Sequence, residues 1–323
     1  MDSTNQASGD AKDVLHIIIV NWRAGKFLLN CLRSIEVSRG DYHLEAVTVV
    51  DNDSSDGSLD GIDSLDLPLR VIRNDENIGF ARACNLGTEG IDADFTLFLN
   101  PDMVLSSDAL HLSLGTFRNE DNERVGILGV QLLDEHRRVS RSCSRFPTPV
   151  IILNRSTGLS SLWPQIFKPQ FLLEWDHGES RDVDQVMGAY FMVRQGVFDE
   201  LNGFDERFFM YFEEVDFCFR ANTLGWRTRY LAEASALHHG RVSSDQVRAQ
   251  CLFFSLRSRL LYFRKYATTA GYWSVLFFTV LVEPVFRLIS TVVRRDSTRA
   301  AETIKAYRML VSEIVTIISG GRP

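Results

Sequence analysis

The stretch DFTLFLNPDMVL, residues 94–105, runs from an apolar segment directly into an amide, a proline and a carboxylate. Three earlier runs have the same character and also end in Asn or Asp: HIIIVN at 16–21, AVTVVDN at 46–52 and LRVIRN at 69–74. Continuous β-branched runs of this kind predict strands that are buried on both faces. The sequence therefore predicts four strands at the core of one sheet.

Two segments between these strands have the apolar spacing of helices. In residues 23–38, RAGKFLLNCLRSIEVS, apolar side chains recur every three or four residues, and residues 78–91 read in the same way. The alternation of strand and helix predicts parallel βαβ units and an α/β fold. In an open parallel sheet, the carboxyl ends of the strands face the ligand-binding crevice.

Polar side chains stand at the carboxyl end of each predicted strand: Asn21, Asp51, residues 74–77 and residues 100–102. Each one alone is compatible with ordinary turn chemistry, because Asn and Asp are common turn residues. Four strands that end this way along one edge favour a ligand site. The chain has no G-x-G-x-x-G after the first strand and no G-x-x-x-x-G-K-S/T motif. Phosphate would therefore be bound here by something other than a glycine-rich loop, and a metal ion is the obvious candidate.

Bulk composition limits the classes of function. The 323 residues suffice for one large α/β domain with an appendage, and the net charge of −7 argues against a general nucleic-acid binder. Five cysteines without a CxxC pair predict free, buried thiols in a reducing compartment. Residues 1–13 are polar, lack the pattern of a signal peptide and predict a disordered tail.

The composition changes beyond about residue 246. Residues 251–266 and 270–295 are strongly apolar, and the second run is nearly long enough to cross a bilayer but contains Glu283, Pro284 and Arg287. Basic residues flank both runs. This pattern predicts helices that lie in, or dip into, an anionic membrane surface. The alternative is a helical pair that packs on the preceding domain or on a dimer partner.

Five motifs together resemble the family-2 inverting glycosyltransferases, and most of all their bacterial rhamnosyltransferase-like branch. They are VVDNDSSDGS, NDENIGFARACNLG, LFLNPDMVL, the long segment from GAYFMVRQG to NTLGW, and LHHGRVS. The resemblance covers roughly residues 14–245. It implies a Rossmann-like GT-A nucleotide-sugar transferase domain at 14–245, followed by a C-terminal helical, membrane-associated region at 246–323.

The resemblance also implies an activity and a location. The enzyme would move a sugar, with L-rhamnose from dTDP-rhamnose as the first candidate, from a nucleotide diphosphate donor to a saccharide acceptor. The acceptor would be lipid-linked or an oligosaccharide, in the assembly of a cell-surface polysaccharide. The protein would work in the cytoplasm, peripherally at the inner face of the plasma membrane and without nucleic acid. Its oligomeric state stays open, with a homo-oligomer among the options.

A divalent cation is the expected cofactor, because a leaving diphosphate needs cationic stabilisation and Mg²⁺ or Mn²⁺ prefers oxygen ligands. The family usually has Asp-x-Asp after this strand, and here Asn100 replaces the first Asp. Asp102 is therefore the stronger metal candidate, and the dependence on metal stays open. His238 matches the position at which the family places a histidine near the metal or the diphosphate, with His239 as the second choice.

The segment FFMYFEEVDFCFR, residues 208–220, places three carboxylates among aromatic side chains. Loss of hydration raises the pKa of a carboxyl group, which suits a general base that works near neutral pH. If the segment is helical, Asp216 and Arg220 form an i,i+4 pair. The family has Glu-Asp here and uses the second acid as its base, so the resemblance implies Glu214 as the catalytic base and Glu213 as the second choice.

The remaining candidates concern the nucleotide sugar. The family binds the base and ribose at the ends of the first two strands, and the next motif adds further polar residues. The predicted nucleotide-sugar-binding residues are Asn21, Asp51, Asn77, Gly79, Asn85 and Asn100. Two alternatives remain open at this point: a non-catalytic module that binds sugar nucleotides, and a nucleotide-sugar hydrolase or nucleotidyltransferase that uses the same edge.

Overall fold

The computed structural model describes residues 12–38, 40–240 and 244–319. The predicted tail lies mostly outside these residues. The described residues contain nine strands: β1 Val14–Asn21, β2 His43–Asn52, β3 Leu69–Asn74, β4 Phe95–Leu99, β5 Met103–Leu105, β6 Val125–Leu133, β7 Arg181–Val183, β8 Tyr190–Arg194 and β9 Arg227–His238.

The α-helices fall into two groups. Seven accompany the strands: α1 Lys26–Val37, α2 Phe80–Thr88, α3 Ala109–Arg118, α4 Pro149–Ser156, α5 Leu159–Leu162, α6 Gln195–Glu200 and α7 Glu213–Thr223. Five follow β9: α8 Arg248–Tyr266, α9 Thr269–Phe277, α10 Glu283–Val293, α11 Ser297–Ser312 and α12 Ile314–Ser319. Three-residue or four-residue 3₁₀ turns begin at Ile62, Glu120 and Ser244, and a π-helical segment, Phe278–Val282, joins α9 to α10.

All nine strands belong to one mixed sheet in the order β3-β2-β1-β4-β8-β6-β9-β5, and β7 also pairs with β9. The first four strands are parallel, as the βαβ pattern predicts. β8 is antiparallel to both of its neighbours. The α/β, Rossmann-like GT-A prediction for this part of the chain is confirmed.

Strand alternation divides the core between the two faces of the sheet. Ile17 and Ile19 of β1 pack with α1 and α3 on one face, whereas Ile18 and Val20 pack with α2, α6 and α7 on the other. A third cluster joins α8, α9 and α11 to three aromatic or aliphatic residues near the start of α7. These are Phe208, Phe212 and Val215. The C-terminal helices thus share a core with the segment that leads into α7.

Strand register brings several strand ends to one edge. Asn21 pairs with Asp51, and Ile19 pairs with Leu99. Leu99 in turn pairs with Tyr190, the first residue of the antiparallel β8. The ends of β1, β2 and β4 and the beginning of β8 therefore meet at the carboxyl edge of the parallel strands, where an open α/β sheet binds its ligand.

Candidate active site at the carboxyl edge of the sheet

Asn21 and Asp51 form a buried polar centre at this edge. The Nδ2 atom of Asn21 donates to Asp51 Oδ1 at 2.6 Å, and also to the hydroxyls of Ser54 and Ser58 at 3.1 and 2.7 Å. The backbone N–H of Ser54 donates to Asp51 Oδ2 at 3.1 Å. The Oδ1 atom of Asn21 is buried without a partner among the described residues. A buried amide acceptor without a donor is costly, so this atom is suited to a ligand that brings one.

Asn77 and Gly79 shape the next strand end. Asn77 Oδ1 accepts from the Gly79 backbone N–H at 3.0 Å and from Asn52 Nδ2 at 3.3 Å. Gly79 has φ of 87°, and a Cβ atom there would stand 2.6 Å from the carbonyl oxygen of Phe209. The same carbonyl accepts from Phe80 N–H at 2.6 Å. The sequence predicted Gly79 as a nucleotide-sugar-binding residue, and the structure shows that the Phe209 carbonyl lies where a side chain at this position would stand.

Asn85 is engaged elsewhere on α2. Its Nδ2 donates to the Phe204 carbonyl at 2.9 Å and to Glu206 Oε1 at 3.1 Å, and its Oδ1 accepts from Phe204 N–H at 2.9 Å. Asn85 therefore ties α2 to the loop that follows α6. Its hydrogen bonds are made within the protein.

Asp102 and His238 face each other across the pairing of β5 with β9. Asp102 is only 7% exposed, and its Oδ1 lies 3.5 Å from His238 Nε2. His239 points away, since its Nδ1 lies 3.4 Å from Glu135 Oε1. Asn100 fixes the turn through its backbone, where its N–H donates to Ala189 O at 3.0 Å and its carbonyl accepts from Met103 N–H. Of the two histidines, the structure brings His238 to Asp102.

The pair of Asp102 and His238 fits one divalent cation together with substrate oxygens. Two ligands of a single cation, each about 2.1 Å from it, stand about 3.0 to 3.5 Å apart. Among the described residues, no group of three or more His, Cys, Asp or Glu side chains is close enough to hold a metal ion. A cation here would depend on phosphate oxygens for its other ligands, which is usual for Mg²⁺.

The acid pair opens α7. Glu213 is 6% exposed, and the Oε2 atoms of both Glu213 and Glu214 are buried without a hydrogen-bond partner among the described residues. Burial and the charge of Glu214 raise the pKa of Glu213 well above its usual range. Burial also raises the pKa of Glu214, although backbone amides at the start of α7, including that of Val215, counteract the rise. The geometry favours the proton on Glu213 and the charge on Glu214.

The backbone just before the acid pair is strained. Tyr211 and Phe212 both adopt left-handed conformations, with φ of 67° and 72°. Bulky residues rarely adopt this region, and such strain is held only where surrounding contacts require it. α8 supplies two of these contacts: Ser258 Oγ donates to Met210 O at 2.9 Å, and Phe254 stacks on Phe209 at 4.4 Å between ring centroids. Sequence reasoning missed this support, because a positive φ at a non-glycine residue has no sequence signal.

The segment before β8 links the acid pair to the turn after β4. A Cβ atom placed on Gly188 would stand 3.6 Å from Glu214 Cβ and 4.0 Å from Glu214 Cδ, so the Glu214 side chain lies along Gly188. The next residue, Ala189, accepts the hydrogen bond from Asn100 N–H. The run DQVMGAYFMVR, residues 184–194, has the apolar character of a strand, but β8 begins only at Tyr190. The preceding residues instead contact Glu214 and the 100–102 turn.

Asp216 has a structural role. It accepts from Arg220 Nε at 2.7 Å, which confirms the predicted i,i+4 pair, and also from Lys265 Nζ and the Tyr266 hydroxyl, each at 2.6 Å. Lys265 also donates to Asp205 at 2.8 Å. The last turn of α8 is therefore bound to the first turns of α7 by a buried ionic network. Sequence reasoning missed Lys265 because it lies 49 residues from Asp216.

A comparison with protein families decides the broader assignment. The model of the family described as glycosyltransferase like family 2 matches residues 13–253. The chain belongs to glycosyltransferase family 2. The match includes every strand of the sheet and every predicted site residue, and it extends into α8.

Curated relatives of this family-2 glycosyltransferase include an N-acetylglucosaminyl-diphospho-decaprenol L-rhamnosyltransferase from Mycobacterium tuberculosis. It is 26% identical over 81% of this chain and 87% of its own length. A second relative, the low-salt glycan biosynthesis hexosyltransferase Agl10 of Haloferax volcanii, is 26% identical over 80% of this chain and 78% of its own length. The rhamnosyltransferase-like resemblance is thereby confirmed.

Solved structures support the GT-A fold of this family-2 enzyme. A mannosyltransferase from Pyrobaculum calidifontis, in complex with GDP-Man and Mn²⁺, aligns with a TM-score of 0.53 at 14% identity, over 96% of this chain and 86% of its own. GalNAc-T7 with UDP, GalNAc and Mn²⁺ aligns with a TM-score of 0.54 at 12% identity, over 81% and 53% of the two chains. At these identities the likeness establishes the fold alone.

Proposed function

We propose that this family-2 glycosyltransferase moves a sugar from a nucleotide diphosphate donor to a saccharide acceptor with inversion at the anomeric carbon. The proposed donor is dTDP-rhamnose and the proposed sugar is L-rhamnose, because the Mycobacterium relative is an L-rhamnosyltransferase. One observation carries the proposal. Glu214 lies along Gly188, and the next residue bonds to the turn that holds Asp102 opposite His238.

In the proposed reaction, Glu214 acts as the general base. Its carboxylate takes the proton of an acceptor hydroxyl while that oxygen attacks the anomeric carbon. The bond from the anomeric carbon to the diphosphate oxygen breaks, the electron pair leaves with the diphosphate, and the configuration inverts. Glu213 keeps its proton and so leaves the negative charge on Glu214, where the amides of the first turn of α7 stabilise it.

Asp102 and His238 are the proposed ligands of Mg²⁺ or Mn²⁺, which supplies positive charge to the leaving diphosphate when it is bound. Asn21 and Asp51 are proposed to bind the base and ribose through the unpartnered Oδ1 of Asn21 and the Asp51 carboxylate. Asn100 lies between these two groups in the order of the strands. Asn77, Gly79 and Asn85 are proposed to support the site by holding the loops beside it.

The acceptor is proposed to be a lipid-linked saccharide used in cell-surface polysaccharide assembly, with the enzyme in the cytoplasm, peripheral at the inner face of the plasma membrane. The name of the Mycobacterium relative, which specifies a diphospho-decaprenol acceptor, supports this choice. The apolar, basic character of residues 246–323 supports a position beside the membrane. We propose 14–245 as the catalytic domain and 246–323 as the membrane-associated region.

The test is the release of nucleoside diphosphate from a panel of dTDP-, UDP- and GDP-sugars, with and without a membrane lipid extract and Mn²⁺. We expect dTDP from dTDP-rhamnose only when acceptor lipid is present, and an inverted anomeric centre in the product by NMR. Release without an acceptor would identify a hydrolase. Donor binding without turnover under any condition would identify a binding module.

The Asp102→Asn variant tests the metal ligand in the same assay. Loss of one group that stabilises the leaving charge should lower kcat by about 100-fold. Asp92→Asn, an exposed carboxylate before β4, is the matched control and should leave the rate unchanged. Wild-type turnover by Asp102→Asn at every Mn²⁺ concentration would remove Asp102 from the site.

A further inference from the structure

The helical rod formed by α9, the π-helical segment and α10 has an exposed face without charge. The rod, Thr269–Val293, is long and apolar enough by length and composition to cross a membrane, and its most apolar 18-residue window has a mean hydropathy of 1.9 and is only 22% buried. Large apolar side chains are exposed along it. They are Trp273, Phe277, Leu281, Val285, Phe286, Ile289, Val292 and Val293.

The two charged residues of this rod are directed into the protein. Glu283 is 3% exposed and lies 2.5 Å from Arg259 of α8, which is itself buried. Arg287 donates to the other oxygen of Glu283 from one turn further along α10. Ser156 of α4 also contacts the carboxylate at 3.3 Å. A rod that spanned a bilayer alone would have to carry these charges through it, whereas here α4 and α8 cover Glu283, and Arg287 pairs with it.

The exposed apolar residues form one stripe because of the π-helical segment. Trp273, Phe277, Leu281, Val285 and Ile289 recur every four residues. A four-residue spacing exceeds the turn of about 3.6 residues of an α-helix, so the stripe would drift around a regular helix. The wider turns of Phe278–Val282 reduce this drift and keep the apolar side chains along one side of the rod.

The C-terminal region that carries the stripe is rich in basic residues. Residues 246–323 contain twelve Lys and Arg against four Asp and Glu, although the whole chain carries a net charge of −7. Among the described residues from 264 to 319, the acidic residues are buried or half-buried, and Asp296 and Glu313 pair with Arg299 and Arg257, whereas six basic residues are exposed. These are Arg264, Arg294, Arg295, Arg299, Lys305 and Arg308.

The apolar surface also continues between α10 and α11. A groove of about 480 Å³ there is lined by Pro284 and Leu288 on one side and by Ile304, Tyr307 and Val311 on the other. Ile304 and Val311 are themselves exposed, so the groove widens the stripe toward α11.

We propose that this face lies flat in the surface of an anionic phospholipid bilayer, with the stripe in the acyl region and the basic side chains among the headgroups. This proposal identifies the surface by which the enzyme would bind the membrane. It rests on the proposed function only for the lipid-linked acceptor that would bring the enzyme there. A second copy of the chain is a poorer occupant, because two such faces would bring like charges together. The apolar stripe and the exposed basic residues together match an anionic membrane surface.

The test is co-sedimentation of the full chain with phosphatidylcholine vesicles that contain or lack phosphatidylglycerol, at low and high ionic strength. The wild type should bind the anionic vesicles more strongly, and salt should weaken that binding. The triple variant Leu281→Gln, Val285→Gln, Ile289→Gln should lower the partition coefficient by more than about tenfold. Arg294→Gln with Arg295→Gln should lower it about tenfold on anionic vesicles only.

Val37→Gln and Arg33→Gln on α1 are the matched controls, because both side chains are exposed far from this rod in sequence and belong to the sheet domain. Neither should change vesicle binding. Equal binding by the triple variant and the wild type would overturn the proposal. So would conversion of a wild-type dimer into a monomer by the triple variant, seen by analytical ultracentrifugation, without a change in vesicle binding.

Turnover of a water-soluble acceptor analogue separates this proposal from the proposed function. The triple variant should keep wild-type turnover of that analogue, since none of its three side chains lies at the acid pair or the Asp102 turn. If the wild type binds vesicles but transfers no sugar, the proposed transferase activity is contradicted and the proposed membrane face is not. If the wild type transfers sugar to the soluble analogue but does not bind vesicles, the membrane face is contradicted and the transferase is supported.

Discussion

Two acidic groups in the C-terminal half, at the beginnings of α7 and α10, differ in the presence of a cationic partner. Glu283 in α10 is enclosed by Arg259 and Arg287. Although its burial alone would raise the pKa, the two arginine charges lower the pKa of Glu283 to about 2. Glu213 in α7 is also buried and Glu214 is half-buried, but neither has a cationic partner among the described residues, and burial raises the pKa of both.

The difference teaches what burial does to a carboxylate. With a paired cation, burial produces a permanent ion pair that holds helices together. Without one, burial raises the pKa of the carboxyl group above its usual range, which is the direction that proton transfer requires. The same residue type is structural in one place and suited to chemistry in the other, and only its neighbours distinguish the two.

The largest effect should follow from Glu214→Gln, which removes the proposed base and keeps the shape of the side chain. We expect kcat to fall by about 1,000-fold, within the range of general-base catalysis, with little change in donor affinity. Single-turnover kinetics and donor titration by calorimetry measure the two quantities. Glu89→Gln, an exposed residue after α2, is the control. A Glu214→Gln enzyme with normal turnover would show that the acid pair has no role in proton transfer.

A smaller effect, on stability, should follow from Glu283→Gln. It leaves the buried Arg259 without its partner and should lower the free energy of unfolding by about 3 kcal/mol. Glu283 has a folded pKa below the usual 4.5, so its stabilisation exists above that pH and is lost as pH falls toward 2. Urea unfolding from pH 7 to pH 3 should therefore show a flatter acid limb for the variant.

Two further variants sharpen the result for Glu283. Glu313→Gln breaks a more exposed pair with Arg257 and should cost less than about 1 kcal/mol. The double variant Glu283→Gln, Arg259→Met should recover part of the lost stability, because it removes the uncompensated charge. If Glu283→Gln alone is as stable as the wild type, the ion pair is not what joins α8 to α10.

The smallest effect should be a gain in stability from Glu213→Gln. The folded pKa of Glu213 is raised, so the wild type loses stability as pH rises above the unfolded value of about 4.5. The variant lacks this loss and should be more stable at pH 8 by about 1 kcal/mol, with no gain at pH 4. Thermal unfolding at both values of pH measures the difference. A gain of equal size at pH 4 and pH 8 would contradict the raised pKa.

Much of the sheet was predictable because its signals are local. Four runs of β-branched residues mark β1 to β4, and the predicted 69–74 run coincides with β3. Residues 140–185 contain four prolines, which favours irregular structure, and the structure has only the short α4, α5 and β7 there. The late start of β8 was not predictable, because Gly188 and Ala189 are apolar and small whether they pair in a strand or contact Glu214 and Asn100.

The candidate site was predictable in its residue types more than in its contacts. The aromatic surroundings of Glu213 and Glu214 correctly indicated a raised pKa, since the Phe and Tyr neighbours lie in the same segment. The contact that Gly79 makes was not predictable from the sequence. Its lack of a side chain accommodates Phe209, which lies 130 residues away, and a sequence pattern records no contact at that separation.

By itself, the sequence determined the parallel βαβ units, the polar ends of their strands and the amphipathic, basic character of the C-terminal helices. These follow from spacing and composition, which act over a few residues at a time. Only the tertiary structure decided which histidine faces Asp102, which buried carboxylates pair with arginine and which side of the α9–α10 rod is exposed. Those outcomes depend on contacts between distant segments, and the free energy of a buried charge is set by its neighbours in space.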